Sequence, residues 1–311
     1  MSKVFIDGSA GTTGLRIYER LAERDDITLI TLPDELRKDI NARKDALNSA
    51  DIAFLCLPDQ AAIEAVSLLD NPNTAIIDTS TAHRTKEGWA YGFAELSTKR
   101  ELIKNSKRIA NPGCHASGFV ALIAPLVEHG IVPKDALLSC FSLTGYSGGG
   151  KNMIAQYESE TIDSELLAPR QYAMGQSHKH LPEMSKICGL ENAPVFCPIV
   201  SNYYSGMQVT VPLFASSING SKDDIIKLYK EYYTNGLVSF VSDISSSGFA
   251  SGNKLSGYDN MHITVSGNDE RILLISEFDN LGKGASGAAI QNMNILLGCD
   301  EDKGLVINHL A

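Results

Sequence analysis

Apolar residues fall in two rhythms along this chain, and one gives way to the other near residue 136. Before that point, short unbroken apolar runs alternate with stretches of helical period. Residues 4–6, 27–32, 52–57, 75–77 and 108–110 read as strands. The nearly continuous run at 52–57 is that of a strand buried on both faces. Residues 14–24 place Leu15, Tyr18, Leu21 and Ala22 at three- and four-residue steps, the helical period. After Pro58-Asp59 a second helix is predicted with Ile63, Val66 and Leu69 on one side, and residues 115–128 read as a third. Repeated strand–helix–strand units predict a parallel, doubly wound sheet.

Beyond the change, residues 137–143, 195–200, 207–214, 262–265 and 272–278 look like strands. Gly267-Asn268-Asp269-Glu270 supplies a hairpin turn between the last two. One helix is expected over 222–233 and another, rich in small residues, over 286–297. Strands joined by turns point to a largely antiparallel sheet in a second domain. At 311 residues the chain exceeds what one core usually supports. The expectation is therefore α/β: a doubly wound Rossmann-type domain plus an α+β domain.

An apolar share of 43% and a charged share of 21% are ordinary for a soluble enzyme. The net charge of −10, with no more than two adjacent Lys/Arg anywhere, argues against nucleic acid or an anionic membrane as partner. Small anions need only a few local cations and stay open. No apolar run reaches membrane-spanning length, and the N-terminus enters a strand-like segment without the pattern of a secretory leader. The six cysteines are scattered with no CxxC pair, which suits a reducing cytoplasm.

One of those cysteines stands apart. Cys114, in NPGCHASG, follows Pro112-Gly113 and opens a predicted helix. Free backbone N–H groups and the positive end of the helix dipole favour its thiolate, the nucleophilic form. Upstream, Asp7-Gly8-Ser9-Ala10-Gly11-Thr12-Thr13-Gly14 joins the first strand to the first helix as GxxGxxG. Gly8 permits the sharp turn, Gly11 the approach of a pyrophosphate, and Gly14 close helix packing, as in dinucleotide-binding loops. After the second strand, Arg37-Lys38 would suit the 2′-phosphate of NADP, while Asp34-Glu35 would suit NAD; the reading leans to NADP.

Three further clusters carry chemistry. Asp78-Thr79-Ser80-Thr81-Ala82-His83-Arg84 follows a strand at the sheet's carboxyl edge, and Arg84 offers a fork for phosphate or carboxylate. Gly145-Tyr146-Ser147-Gly148-Gly149-Gly150-Lys151 lacks the form of a Walker loop but can wrap an anion, with Lys151 adding charge. In Ser177-His178-Lys179-His180-Leu181-Pro182-Glu183 an extended backbone would turn both imidazoles one way, so either could move protons beside a thiolate. A metal would need a third ligand that the sequence does not offer.

Taken in order, GSAGTTG, STAHR, NPGC, GYSGGGK, HKHLPE and LGKGASGAAIQN resemble the N-acetyl-γ-glutamyl-phosphate reductases, relatives of aspartate-semialdehyde dehydrogenase, in their shorter form. The resemblance covers essentially the whole chain. It implies NADPH-dependent reduction of N-acetyl-γ-glutamyl phosphate to the semialdehyde, with release of phosphate, in arginine biosynthesis. Cys114 would be the nucleophile and His180 the acid/base, with His178 the second candidate. Arg84, Asn111 and Lys151 would line the substrate or phosphate site. Gly8, Ser9, Gly11, Thr12, Thr13, Gly14 and Ser80 would hold the cofactor, as would Gly284, Ser286, Gly287 and Asn292 in a segment returning to it. That return makes the NADP-binding domain discontinuous, 1–113 and 283–311, around a catalytic, substrate-binding and oligomerisation domain at 114–282. A homodimer or homotetramer is implied. His115 departs from the aromatic residue that relatives often carry there. The rival readings are another acyl-phosphate reductase, a cysteine hydrolase, and a dinucleotide sensor without chemistry.

Overall fold

The computed structural model describes residues 1–234 and 236–309. Position 235 of the expected catalytic domain and positions 310–311 of the expected return segment lie outside the described residues. The chain divides into two compact units. The first comprises Met1–Ala94, Thr98–Gly113 and Ala285–Leu305; the second comprises Glu95–Ser97, Cys114–Gly284 and Val306–Ala311.

The first unit contains β1 (Ser2–Asp7), α1 (Thr12–Ala22), β2 (Ile27–Ile30), α2 (Ile40–Ser49), β3 (Ile52–Leu55) and α3 (Asp59–Ser67). It continues with β4 (Ala75–Asp78), β5 (Ala90–Tyr91), α4 (Lys99–Lys104), β6 (Arg108–Ala110) and α9 (Gly287–Leu297), the last joining after the second unit is complete. Its strands form a six-stranded sheet in the order β2-β1-β3-β4-β6-β5. Every pairing is parallel, as the sequence predicts. Alternate strand residues feed two cores. Val4, Ile6, Phe54 and Ile77 pack with Ile17 of α1 and Ile290 of α9. Phe5, Ala53, Leu55 and Ile76 pack with Leu47 of α2 and Ala62 of α3. Because β1 lies between β2 and β3, the strand order reverses there, and its carboxyl end opens the crevice where ligands bind in such sheets.

Two helix faces differ from the predicted stripes. Leu15, Tyr18 and Ile63 are exposed. The buried residues are Gly14, Ile17 and Leu21 in α1, and Ala62 and Ala65 in α3. Both stripes on α1 have helical spacing. The one holding a glycine turns inward because the helix approaches its own loop too closely for a Cβ at position 14. Helix α2 escapes sequence reading because its inward face carries Arg43 beside Ala46 and Leu47. Its first turn is fixed by Asp39, whose side chain accepts from the Ala42 N–H at 2.8 Å. Arg24, itself held by Asp26, anchors the returning tail by donating to Asn294 and to the Lys303 carbonyl.

The second unit contains α5 (Cys114–Glu128), β7 (Ser139–Gly145), α6 (Gly150–Tyr157), β8 (Arg170–Gln171), α7 (Leu181–Cys188) and β9 (Val195–Ser201). β10 (Met207–Phe214), α8 (Lys222–Tyr232), β11 (Val238–Phe240), β12 (Met261–Gly267) and β13 (Arg271–Phe278) follow. The sheet order is β11-β12-β13-β10-β7-β9-β8. Four of its pairings are antiparallel, and two, β11 with β12 and β7 with β9, are parallel.

Helix α5 is apolar all round and buried from His115 to Val127. Gly118 lets it lie on the sheet: a Cβ there would stand 2.5 Å from the Val209 side chain and 2.7 Å from Ser276 Oγ. Pro125 inside the helix has no N–H for the Ala121 carbonyl. The buried Tyr233 hydroxyl donates to that carbonyl instead, at 2.6 Å. Helix α8 starts with a capping box between Ser221 and Asp224.

Candidate active site

The loop after β1 is built of backbone. Gly8 has φ +88°, and a side chain there would drive into the Cys56 carbonyl. The Gly11 N–H donates to the Gly8 carbonyl at 3.0 Å, closing the turn. A Cβ on Gly14 would collide with the same Gly8 carbonyl. Helix α1 begins at Thr12 with no side chain capping its first turn, so N–H groups remain for an anion. This cradle of three glycines and an uncapped helix fits a dinucleotide pyrophosphate. Beneath it, Asp7 is clamped by Arg43 at 2.9 Å, with both side chains buried. Burial pushes the Asp7 carboxyl up, against the pull of Arg43. After β2, Asp34 pairs with Arg37 at 2.8 Å, both well exposed.

Downstream in the same unit the polar groups bond mainly to one another. Ser80 donates from both its N–H and its hydroxyl to the Asp78 carboxylate, which also holds His83 Nδ1 at 2.6 Å. His83 stacks on Trp89. Arg84 is buried and donates to the carbonyls of Asn111 and Thr79 at 3.0 and 2.9 Å. Asn111 donates to the Ala285 carbonyl and accepts from Asn292, which also donates to the Gly92 carbonyl. Ser286 and Gly287 are buried at the start of α9. The predicted residues Ser80, Arg84, Asn111 and Asn292 thus belong to one unit.

In the second unit Cys114 is the first residue of α5 and half-buried. Burial pushes the thiols of Cys56, Cys140 and Cys188 up, that of Cys56 to about 12, so these stay protonated and inert. Gly284 belongs beside the sulfur-bearing residue: a Cβ on it would stand 3.0 Å from that of Cys114. It lies in a π-helical turn, Gly282–Ser286, whose Lys283 is fully buried and pairs with Glu95 at 2.8 Å.

Four rings gather at His115, the residue that follows Cys114. His115 lies 5.7 Å from His178 and 5.6 Å from His180, centroid to centroid, and 5.3 Å from Phe196. The two later histidines are 4.8 Å apart and nearly perpendicular. Their segment is a turn leading into α7, with the Leu181 N–H donating to the His178 carbonyl, so the expected extended backbone is corrected. The rings converge because the chain bends. The His180 N–H donates to His178 Nδ1 at 3.2 Å. His115 Nδ1 lies 2.6 Å from Ser142 Oγ, and its Nε2 lies 2.7 Å from the Tyr172 hydroxyl. Burial, with smaller contributions from His178 and Lys179, holds its imidazole down at about 3, so it is neutral. Tyr172 is pushed up by burial and by the nearby Cys114.

The glycine-rich segment after β7 is less of a loop than expected. It makes a 3₁₀ turn, Tyr146–Gly149, and then enters α6, so Lys151 is exposed on a helical first turn. Asn280 ties this turn down by donating to Ser147 Oγ. Sequence reasoning missed Tyr172, Ser142 and Phe196. They reach the cluster from three strand-region segments that carry no motif of their own. Among the described residues, no three His, Cys, Asp or Glu side chains converge in a metal-binding arrangement, and no helix is long and apolar enough to cross a membrane.

Comparison with known proteins finds two family matches along the chain. Residues 3–106 match the family described as semialdehyde dehydrogenase, NAD binding domain. Residues 114–280 match semialdehyde dehydrogenase, dimerisation domain. The N-acetyl-gamma-glutamyl-phosphate reductase of Brucella ovis is 45% identical over 306 residues, covering 95% of this chain and 99% of that protein. The one from Brucella anthropi is 44% identical, covering 95% and 98%. Among solved structures, aspartate semialdehyde dehydrogenase II of Vibrio cholerae, complexed with ASA, superposes with a TM-score of 0.72 at 15% identity, covering 96% of this chain and 98% of that one. The Candida albicans aspartate semialdehyde dehydrogenase with NADP gives 0.67 at 16% identity, covering 96% and 98%. These likenesses carry the fold alone. The chain belongs to the semialdehyde dehydrogenase family, in the branch of the N-acetyl-γ-glutamyl-phosphate reductases.

Proposed function

We propose that this enzyme reduces N-acetyl-γ-glutamyl phosphate to N-acetylglutamate 5-semialdehyde through a thioester on Cys114. The observation that carries the reading is a half-buried cysteine at a helix start, followed directly by His115, on which the imidazoles of His178 and His180 pack. The Cys114 thiolate attacks the acyl carbon, the bond to phosphate oxygen breaks, and phosphate leaves with its electron pair. The nicotinamide, when bound, supplies the hydride that reduces the thioester. His180 protonates the resulting alkoxide and takes the proton back as the C–S bond breaks, releasing the aldehyde and the thiolate. His180 is preferred to His178 because His178 Nδ1 already accepts a backbone N–H, a bond that protonation of the ring would break. The first N–H groups of α5 steady the negative charge that develops on the carbonyl oxygen of the reacting carbon.

Lys151 is the better candidate for the phosphate, since it is exposed while the Arg84 guanidinium already donates to two carbonyls. The glycine cradle from Gly8 to Gly14 would hold the pyrophosphate, and Arg37 and Lys38 lead us to NADP over NAD. Self-association as a dimer or tetramer is supported by the family description and by Phe141, Val195, Phe214 and Leu273, exposed on one face of the second sheet. Free thiols suit a reducing compartment such as the cytoplasm. The test is the reverse reaction: semialdehyde, phosphate and NADP⁺ should yield NADPH fluorescence. NAD⁺ should serve poorly, aspartate semialdehyde should not replace the acetylated substrate, and Cys114→Ala should abolish turnover with NADPH binding intact.

A further inference from the structure

Lys283 and Glu95 form an ion pair that water does not reach: their side chains are 0% and 1% exposed. The ammonium donates to both carboxylate oxygens, at 2.9 and 2.8 Å, and the carboxylate also accepts the Leu237 N–H at 2.9 Å. Neither residue has a task in the thioester chemistry. Burying two charges costs about as much in desolvation as their pairing returns, so such a pair is a poor source of stability. It is a good source of register, because a segment that shifts must draw the charges apart inside the protein. Lys283 lies in the π-turn Gly282–Ser286, wound wider than an α-helix, a rare form found frequently at functional sites. Within it the Gly282 and Gly284 N–H groups both donate to the Asp279 carbonyl at 3.0 Å. Gly284, the next residue after Lys283, stands against the nucleophile. A Cβ added to it would lie 3.0 Å from the Cys114 Cβ and 3.1 Å from the Asp279 carbonyl oxygen.

We propose that Lys283 and Glu95 are positioning residues for Cys114. Their pairing holds the turn in its π register, the turn sets the Gly284 backbone against Cys114, and that wall fixes where the sulfur stands at the start of α5. The inference deepens the thioester reading and rests on it for the identity of the nucleophile. In an ordinary α-helical register Lys283 and Gly284 would rotate away. The ammonium and carboxylate would then separate, and the Cys114 side chain would have room to turn from the N–H groups that favour its thiolate.

The experiment compares stability, labelling and turnover in three variants of the full chain. Lys283→Met alone strands the Glu95 carboxylate in the interior and should lower Tm. Lys283→Met/Glu95→Gln removes both charges, keeps an acceptor for the Leu237 N–H and should restore most of that Tm. Iodoacetamide should nevertheless label Cys114 of the double variant about tenfold more slowly at neutral pH, read by mass spectrometry of its peptide in the ligand-free enzyme. Its kcat should fall about tenfold or more with KM little changed, the signature of a misplaced reacting group rather than of weaker binding. Gly284→Ala pushes on Cys114 directly, leaves the ion pair in place and should slow labelling to a similar degree; it carries the test where the double variant folds poorly. A double variant with restored Tm and unaltered labelling and kcat would make the pair structural only and overturn the proposal, as would undiminished labelling in Gly284→Ala. Slower labelling in both variants of an enzyme lacking reductase activity would keep this inference and sink the substrate reading.

Discussion

The loop after β1 and the cluster around Cys114 both prepare for negative charge, with different materials. The loop does it with backbone: three glycines, one at positive φ, and an uncapped helix start, all within eight consecutive residues. The cluster does it with side chains from Cys114, His115, Ser142, Tyr172, His178 and His180, spread over 67 residues. A backbone site is intolerant at its glycines and indifferent to its other side chains. A side-chain site is held by mutual bonds, so its members fail together.

The largest expected effect lies in the cluster. His180→Asn should lower kcat by about a hundredfold to ten-thousandfold, the usual worth of a general acid/base, with KM nearly constant in steady-state kinetics. An unchanged kcat would transfer the role to His178. In the loop, Gly8→Ala must accept a positive φ and a collision with the Cys56 carbonyl. About 1–3 kcal/mol of strain should weaken NADPH binding tenfold or more by fluorescence titration, while labelling of Cys114 keeps its rate. Slowed labelling would break the contrast between the two regions.

A smaller effect comes from a buried group that lacks the cluster's mutual bonds. Among the described residues both Glu277 carboxylate oxygens are without hydrogen bonds, and burial, opposed only by Lys254, pushes the group up to about 7. The folded state therefore keeps a proton that the unfolded chain releases near 4.5. Stability is greatest below that pH and declines as pH rises toward and through 7. Glu277→Gln should flatten this decline and raise Tm by about 3 °C at pH 8, with little change at pH 4. An equal shift at both pH values would mean that charge is not the cause. Smallest of all, Ser221→Ala removes one cap of α8 and should cost about 1 kcal/mol in urea denaturation, leaving both sites intact.

The same contrast decides what could be read from the sequence. GxxGxxG and NPGC are local, and the parallel and largely antiparallel sheets follow from the two apolar rhythms, so the glycine loop, the cysteine at a helix start and the fold class were legible. Helix α2 was not, because Arg43 on its buried face answers Asp7, a partner 36 residues away. The burial of Ile17 over Leu15 depends on how closely α1 approaches its loop, and both stripes obey the helical period. Tyr172 and Ser142 were invisible because each acquires meaning only through His115, 57 and 27 residues away. Side chains that act through one partner leave no periodic trace.

The central claim is covalent capture at Cys114, and the mass of the enzyme tests it most directly. Enzyme mixed with the acyl phosphate and no NADPH should release one phosphate per active site and gain the mass of one N-acetylglutamyl group on the Cys114 peptide. Adding NADPH should discharge that group as the semialdehyde. Phosphate release without acylation of Cys114, or undiminished turnover by Cys114→Ala, would contradict the account.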